Sequence, residues 1–561
     1  MPLERFDDQP TAEVTFLITL PAEAWWRPCE RATECDLRLL SEVVCRCQRV
    51  GATELLTPPQ PVRKMLYTDV ETPLQSAPPC VVSANKHARK RSRQPNQENT
   101  VNVEPTRLEL GHTVDRRRFL RGAAGLGIAT TLGGLTACTP KATETGGKLS
   151  TPSLTGESAR GEVTIWDRQG DLFKVFDTVI PSFNAKYPNI KVKHVAVDVA
   201  AKLPPALVSG AGLPDGSFLE DVNIVGQADH LLDLSERMAQ YKADTVKYKL
   251  DVVTIDGRLV GIPWDVDPGL LFYREDVLEQ AGVDPASLNT YDDLLTAART
   301  IKQKRPDARP LHLERDPNLG QMWLELFANQ QGTGMIDPGT GKPRLDSPEY
   351  RQILGWIQQI AQDGLGTRAA FVTPSDLQTL EAGTQSLIPW ACWWSFVPQS
   401  SLKTSKGKWR VRQLPVWKQG GATSGVMGGS SFIIPAKAKN PELAWLFFEH
   451  LVYSKEGYTK AFGPNSVYPG GLSTVLPSYL PALDENKPLF KPVKEFGNQN
   501  MWIEYVKAAK SLPGGYKLPE YWNKSVNYLG TNVQRLMDGK ATPDEVISKS
   551  TQDIEKNLIN R

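Results

Sequence analysis

The sequence lacks an excess of charge of either sign, because 65 lysines and arginines stand against 63 aspartates and glutamates in 561 residues. Such near-neutrality gives no electrostatic basis for binding the phosphate backbone of a nucleic acid. Histidine is also scarce, and its six residues are scattered along the chain. The sequence therefore predicts no nucleic-acid partner, no metal site and no cofactor.

Cysteine is rare and unevenly placed. Five of the seven cysteines lie before residue 115, and only Cys138 and Cys392 follow. If the chain before Cys138 is removed, Cys392 has no partner for an internal disulfide, and large folded domains do not need one. The spacing of the early cysteines matches no familiar zinc pattern, which excludes a zinc site at Cys29, Cys35, Cys45 and Cys47.

The apolar run over residues 123–135 is too short to cross a membrane. It spans about 13 residues diluted by glycine and threonine, whereas a spanning helix needs roughly 20 apolar residues. A basic lead over residues 116–121 precedes the run and small residues follow it. A basic lead, an apolar run and a small-residue cleavage region are the three parts of an export signal.

Two motifs in this segment resemble known signals. The residues "DRRRFLR" resemble the twin-arginine export signal, with Arg116 and Arg117 as the pair and with Asp115 and Arg121 as departures from its pattern. The residues "LTAC" resemble the lipobox of bacterial lipoproteins, whose cysteine is acylated and becomes the first residue of the mature protein. The resemblance implies a signal over residues 115–138 and lipidation of Cys138. An amphipathic helix end with a buried cysteine is the alternative.

The chain around this signal divides into two further segments. Residues 1–114 show no sustained helix or strand period, and an export signal works only near an N-terminus. We expect these residues to be upstream translation from a misassigned start, disordered and absent from the mature protein. Residues 139–160 are rich in threonine, serine and glycine, which predicts a flexible tether.

The folded body begins with an alternation of strand and helix patterns. "GEVTIWDRQG" is a short apolar strand that ends in polar residues, and "IKVKHVAVD" alternates like a second strand. Between them, Phe173, Phe176, Ile180 and Phe183 recur at helical spacing. A strand, a helix and a strand within some forty residues predict a parallel pair with a crossover helix, and hence an α/β fold.

Five blocks of the sequence carry a more specific resemblance, among them "DGRLVGIPWDVDPGLLFYREDVLEQAGV" and "LEAGTQSLIPWACWWSFVP". The five blocks are residues 163–193, 256–283, 380–398, 425–457 and 539–558. In this order they resemble extracellular solute-binding proteins that serve ABC importers, in particular the sugar-binding group related to maltose-binding protein. Ser386 and Leu387 depart from that group's pattern, in which small and Met residues are usual at these positions. The resemblance covers residues 160–561.

The resemblance implies a bilobal periplasmic-binding-protein-like fold, in which two α/β lobes are joined by a hinge of several crossing segments. Lobe 1 is predicted over residues 161–268 plus about 411–460, and lobe 2 over residues 269–410 plus about 461–561, with the C-terminal helices. We expect the crossings near residues 263–271, 409–417 and 455–471. A ligand would close the cleft by hinge motion.

The function implied is that of a lipid-anchored, exported substrate-binding protein on the outer face of the cell membrane. It would be monomeric, without catalytic activity, and would deliver a sugar or oligosaccharide to the transmembrane subunits of an ABC permease. Two alternatives remain open: a secreted glycan-active enzyme, or the same fold binding a phosphorylated polyol or another non-sugar solute. Basic residues in the cleft would favour a phosphorylated or otherwise anionic solute, and Arg168 and Arg315 are the candidates.

Sugar sites combine aromatic rings, which stack on C–H patches, with side chains that bond hydroxyls. The resemblance makes Trp390 the leading stacking residue, because it follows the proline of "IPWACWWSF". Core packing is the alternative for any single tryptophan. The six tryptophans predicted at the cleft are Trp264, Trp323, Trp390, Trp393, Trp394 and Trp522.

Polar candidates lie at strand ends and at the first crossing. Asp265 and Asp267 share one side of an extended segment and could bind sugar hydroxyls, cap the next helix, or act as a catalytic pair. Open α/β sheets bind ligands at the carboxyl ends of strands. That rule selects Asp167, Arg168 and Gln169 after the first strand and Glu220 and Asp221 after the third. Gly428, Gly429 and Ser430 would allow a ligand or the other lobe to approach the backbone closely, and a bulge or a tight turn is the alternative for the two glycines.

Overall fold

The computed structural model describes residues 158–560. The predicted preface, the signal with Arg116, Arg117 and Cys138, and most of the tether lie outside the described residues. Twelve strands form within the described part of the chain. They are β1 (Gly161–Asp167), β2 (Ile190–Ala196), β3 (Gly216–Glu220), β4 (Thr254–Ile255), β5 (Arg258–Leu259), β6 (Ile262–Pro263), β7 (Asp265–Val266), β8 (Gly269–Arg274), β9 (Leu387–Ala391), β10 (Trp409–Gln413), β11 (Ser430–Ile433) and β12 (Leu476–Pro477).

The first sheet has the order β2-β1-β3-β11-β6. β1 pairs in parallel with β2, as the strand–helix–strand pattern predicted, and also in parallel with β3. β11 then joins antiparallel to β3 and β6, although it comes much later in the chain than either strand. We call the part of the protein built on this sheet lobe 1. Its helices are Asp171–Asp177, Ile180–Lys186, Val199–Ser209, Lys247–Val253, Pro441–Tyr453 and Lys455–Phe462.

The second sheet is smaller and antiparallel, with β8 between β10 and β9. Every side chain of β8 and β9 is buried, because helices cover both faces of the sheet. We call this part of the protein lobe 2. Its helices are Glu275–Ala281, Tyr291–Lys304, Pro317–Gln330, Pro348–Gln362, Pro374–Ala382, Met501–Lys510, Thr531–Met537 and Pro543–Ile554.

Helix boundaries follow the local sequence. The Thr290 hydroxyl accepts a hydrogen bond from the backbone N–H of Asp293, and the Asp293 carboxylate accepts one from the backbone N–H of Thr290. This capping box starts the helix Tyr291–Lys304. Asp316 caps the helix Pro317–Gln330, whose first residue is a proline. No helix within residues 158–560 combines the length and the apolarity that crossing a membrane requires.

The chain passes between the sheets through short connections. β6 in the first sheet leads through β7 to β8 in the second, and β7 pairs with β12. The return occurs between β10 and β11. β10 pairs with β8 over its whole length, so residues 409–413 belong to the second sheet. The predicted lobe boundaries, with lobe 1 resuming at about residue 411, stay predictions.

Candidate functional site

The connection between β10 and β11 ends in two glycines that touch carboxylates of lobe 1 and of the first crossing. Gly428 and Gly429 have φ angles of 109° and 108°, a backbone conformation that residues with a Cβ rarely adopt. A Cβ on Gly428 would lie 2.8 Å from Asp267 Oδ2, and one on Gly429 would lie 2.8 Å from Asp221 Oδ2. Only glycine therefore fits at these two positions.

Asp221, at the end of β3, is held by a buried ion pair. Its carboxylate contacts the ammonium of Lys249, and Ser431 Oγ donates to Asp221 Oδ1 at 2.7 Å. Lys249 Nζ also donates to the carbonyl of Ser430 at 3.0 Å. Both charged side chains are almost completely buried, so each depends on the other. Sequence reasoning missed Lys249, whose signal is a lysine on the buried face of the helix Lys247–Val253.

The two carboxylates of the first crossing have different surroundings. Asp265 accepts hydrogen bonds from the backbone N–H and the hydroxyl of Ser430, at 2.5 and 2.8 Å. Asp267 accepts a weak bond from Cys392 Sγ at 3.7 Å. Burial raises the pKa of both groups, and the nearby Asp265 raises that of Asp267 further. The strand β8 follows them directly, so the helix-capping alternative is wrong.

A cavity of about 20 Å³ lies between the lobes beside these groups. Space of that size holds about one water molecule. Asp221, Gly428 and Trp522 are the predicted residues that the structure brings together there. The remaining lining residues, which sequence reasoning missed, are Val222, Tyr248, Met322, Glu325, Val426, Met427, Tyr516 and Leu518.

The two lobes touch around this cavity. Tyr248 of lobe 1 stacks on Tyr516 of lobe 2 with ring centroids 5.6 Å apart. Asn523 Nδ2 donates to Asn223 Oδ1 at 2.7 Å, and Gly515 N–H donates to Asp251 at 2.6 Å. The two lobes are therefore in contact around the cavity, which in this arrangement has room for nothing larger than about one water molecule.

Glu325, on the helix Pro317–Gln330, is a buried acid on the lobe 2 side. Its carboxylate accepts hydrogen bonds from the hydroxyls of Tyr350 and Tyr516, the latter at 2.7 Å, and from Met335 N–H at 3.2 Å. Burial raises the pKa of Glu325 to about 7, although the three donors oppose that rise. Glu325 therefore changes protonation near neutral pH.

This shift predicts a pH-dependent stability. The folded protein holds a proton on Glu325 that the unfolded chain, with its pKa of 4.5, has already released. The free energy of unfolding is therefore expected to fall by up to ~3 kcal/mol as pH rises from about 4.5 to 7, and to show no further change from this group above that range. Denaturant unfolding of wild-type and Glu325→Gln protein at several pH values in this range measures the change. If the free energy of unfolding depended on pH equally in both proteins, Glu325 would not be the group that titrates.

The polar residues at the end of β1 lie at a separate depression of about 260 Å³, also at the carboxyl edge of the first sheet. Arg168, Gln169 and Glu220 line it, and the Arg168 guanidinium lies 3.7 Å from the centroid of the Phe218 ring. Burial raises the pKa of Glu220, and the charge of Arg168 opposes the rise. Asp167 faces β2 instead, where its carboxylate lies 3.3 Å from His194 Nε2.

Three of the predicted stacking tryptophans pack in the hydrophobic cores. Trp264 packs against Phe176 and Phe462 in lobe 1. Trp323 is fully buried in lobe 2 and donates from Nε1 to the carbonyl of Pro389. Trp394 packs against Phe272 and Trp409. For these three, the structure supports the core-packing alternative.

Trp390 and Trp393 differ in burial. β9 runs through residue 390 to Ala391, and Trp390 is fully buried within it. Trp390 stacks on Phe371 with centroids 5.1 Å apart. Trp393 is partly buried and donates from Nε1 to the carbonyl of Met427 at 2.9 Å. Trp393 thus reaches the segment that lines the inter-lobe cavity.

Two further features bear on the alternatives. Arg315, a candidate for binding an anion, forms an ion pair with Asp538 instead. Across the described part of the chain, no three His, Cys, Asp or Glu side chains come together in a way that could hold a metal ion.

Comparisons with known proteins give a family match and several relatives. Residues 167–457 match the family model described as bacterial extracellular solute-binding protein. An arabinooligosaccharide-binding protein of Bacillus subtilis is 26% identical over 323 residues, which cover 55% of this chain and 73% of the relative. A lactose-binding protein of Rhizobium radiobacter is 25% identical over 417 residues, which cover 70% of this chain and 92% of the relative.

Solved structures show the same fold. The sugar-binding protein MalE of Xanthomonas citri superposes with a TM-score of 0.60 at 20% identity, over 72% of this chain and 98% of its own. The galacto-N-biose/lacto-N-biose I-binding protein of Bifidobacterium longum gives a TM-score of 0.58 at 18% identity, over 72% of this chain and 98% of its own. The bilobal α/β fold expected from the sequence is confirmed.

Proposed function

Because the chain belongs to the bacterial extracellular solute-binding protein family, we propose that it captures a sugar or oligosaccharide between its lobes and delivers it to the permease of an ABC importer. The observation that carries the proposal is the inter-lobe cavity, to which lobe 1, lobe 2 and the second crossing all contribute side chains. A sugar fits there only after the lobes have moved apart, and once bound it contacts both lobes and favours an arrangement in which they enclose it. The names of the relatives support a carbohydrate ligand.

The cavity supplies both kinds of contact that a sugar needs. Asp221 and Asp267 would accept hydrogen bonds from hydroxyls, because each lies against the glycine backbone at the cavity. Trp522 lines the cavity and Trp393 adjoins it, so these two rings would pack against the C–H faces of the sugar. Trp522 and Trp393 therefore replace Trp390 as the proposed stacking residues.

Isothermal titration calorimetry with a panel of sugars tests the proposal. Arabino-oligosaccharides, lactose and malto-oligosaccharides are the first probes, chosen from the sugars named for the relatives and neighbours. We expect saturable binding of at least one of them, and recovery of that sugar unchanged after prolonged incubation. Absence of binding across the panel would contradict a sugar ligand, and turnover would favour the alternative of a glycan-active enzyme.

The export and anchoring of the protein form a separate part of the proposal. We propose that Cys138 is acylated, that Arg116 and Arg117 direct twin-arginine export, and that the protein acts as a monomer. Two or three acyl chains hold a protein on a membrane far more firmly than one. Cell fractionation should find Cys138→Ala released from the membrane and the Arg116→Lys/Arg117→Lys variant retained inside the cell. An unchanged membrane fraction for either variant would contradict the corresponding assignment.

A further inference from the structure

A depression of about 280 Å³ lies on lobe 2, outside the inter-lobe cavity. Its walls are the start of the helix Tyr291–Lys304, the helix Pro348–Gln362 and Trp417, which belongs to the connection after β10. The depression shares no lining residue with the inter-lobe cavity. Drug-sized ligands usually occupy about 300–1,000 Å³, so this space suits a somewhat smaller ligand.

Trp417 supplies a rigid aromatic surface to this depression. Its ring is partly accessible, stacks on the buried Tyr291 with centroids 3.9 Å apart, and meets the ring of Trp356 edge-on at 5.8 Å. The chain beside Trp417 is held as well, because Gln330 Nε2 donates to the carbonyl of Pro415 at 2.7 Å. A ring that is fixed in advance loses little freedom when a ligand packs on it.

Gly355 keeps the depression open. It lies in the interior of the helix Pro348–Gln362 and lines the depression. Glycine is less favourable in a helix interior than any residue except proline. Packing does not require glycine here, because a Cβ on Gly355 would meet no heavy atom within 4 Å. The space that a larger side chain would fill is therefore free for a ligand.

Hydrogen-bonding groups surround this space. Gln352 and Gln359 are exposed and line the depression, three residues before and four residues after Gly355, so the three share one face of the helix. Trp417 Nε1 is buried and has no hydrogen-bond acceptor within the described part of the chain, although buried N–H groups are usually paired. Hydroxyls both donate and accept, so they complement two amides and an indole N–H.

The charges of the lining balance each other. Asp292 and Arg351 are its two charged residues, one of each sign. Arg351 also forms an ion pair with Asp544, so its charge is already compensated. A neutral ligand with several hydroxyls therefore fits better than an anion.

We propose that this depression is a second carbohydrate site, which holds one unit of a neutral sugar against Trp417 and binds its hydroxyls through Gln352 and Gln359. The site does not depend on the function proposed above. Because lobe 1 contributes no residue to its lining, a sugar stays bound there whatever arrangement the lobes adopt.

Heteronuclear NMR of protein labelled with ¹⁵N-tryptophan reports the two sites separately. The indole signal that disappears in Trp417→Phe belongs to the depression, and the one that disappears in Trp393→Phe belongs to a residue beside the inter-lobe cavity. We expect at least one of glucose, galactose and arabinose to shift the Trp417 signal saturably. Comparing that sugar with its methyl glycoside distinguishes a site for a free sugar from one for a unit of a glycan chain.

Gly355→Leu is expected to abolish the shift of the Trp417 signal, because the leucine fills the depression. It should not lower the thermal transition, since leucine favours a helix and its Cβ meets open space. Gln358→Leu is the matched control, because it adds the same side chain to the same helix outside the depression. It should leave the shift unchanged.

Three results would overturn the second site. The sugars could leave the Trp417 signal in place, or the shift could persist in Gly355→Leu. The Trp417 and Trp393 signals could also respond with the same midpoint in both proteins, which would mean that Trp417 senses binding between the lobes. None of these results bears on the proposed function, which the calorimetric panel tests by itself.

Discussion

Replacing Lys249 with Met is expected to lower the free energy of unfolding by about 3–5 kcal/mol, the usual cost of leaving a buried charge without its partner. The ammonium of Lys249 is fully buried and contacts the Asp221 carboxylate, which is 2% exposed. Without Lys249, Asp221 loses its compensating charge and the carbonyl of Ser430 loses a donor. Denaturant unfolding measures the loss.

Lys247, two residues earlier on the same helix, provides the matched control. It pairs with Asp251, but its side chain is 69% exposed, and exposed pairs contribute at most about 1 kcal/mol. Lys247→Met should therefore leave stability nearly unchanged. The double variant Asp221→Asn/Lys249→Met should regain part of the loss, because it leaves no buried charge unpaired. Equal losses for Lys249→Met and Lys247→Met would contradict the buried pair.

Trp390→Ala is expected to cost about 3–5 kcal/mol of stability, the range for removing a large aromatic side chain from a core. Trp390 is fully buried in β9 and packs against Phe371, His312 and Trp393. The surrounding strand and helices cannot close over a void of that size without disturbing their own packing. Thermal or denaturant unfolding of the sugar-free protein checks the expected loss.

Trp393→Ala is expected to affect sugar binding more than stability, whereas Trp390→Ala affects mainly stability. Its ring is only partly buried, so the loss of stability should be smaller, while sugar affinity should fall about fivefold or more, on the scale of a lost aromatic contact worth ~1 kcal/mol. Calorimetry and unfolding on the two variants separate the roles. A Trp393→Ala protein that binds normally, beside a Trp390→Ala protein that is stable but does not bind, would show that the stacking residue was assigned wrongly.

The sequence predicts lobe 1 well because its signals are local. The strands β1 and β2 follow directly from periodicity. The single crossover helix predicted between them is divided into the helices Asp171–Asp177 and Ile180–Lys186. Glu220 and Asp221 lie at the end of β3, as the sequence predicted. The adjacent glycines Gly428 and Gly429 also indicate that other groups approach the backbone closely, because a Cβ at either position would clash with a neighbouring carboxylate. These features depend on a few neighbouring residues, which a single sequence displays.

The rest of the site depends on contacts between distant parts of the chain. Lys249 contacts Asp221, which lies 28 residues earlier in the chain, and Ser430, which lies 181 residues later. Separations of this kind produce no periodic pattern in the sequence. Tyr516 lies in an irregular segment, and Trp522 begins a helix of only four residues, which is too short to show a helical period. Trp390 could not be assigned to the core from the sequence, because β9 is buried on both faces and such a strand shows no alternation.

The central claim is that a sugar binds between lobes that must separate to admit it, and the contact of Asn223 with Asn523 offers a way to test it. The amide nitrogen of Asn523 lies 2.7 Å from the amide oxygen of Asn223 on the other lobe. An Asn223→Cys/Asn523→Cys variant can therefore be bridged by a short bifunctional thiosulfonate, whose disulfides are reversible with reductant. Cys392 is buried and should not react. The single-cysteine variants Asn223→Cys and Asn523→Cys control for attachment of the reagent without a bridge.

The decisive measurement is the association of the sugar identified by calorimetry with the bridged protein, before and after reduction. We expect the bridged protein to bind at least tenfold more slowly than the single-cysteine controls and to regain normal binding when the bridge is reduced. If the bridged protein binds the sugar at the same rate and with the same affinity as the reduced protein, the sugar does not enter between the lobes, and the account is contradicted.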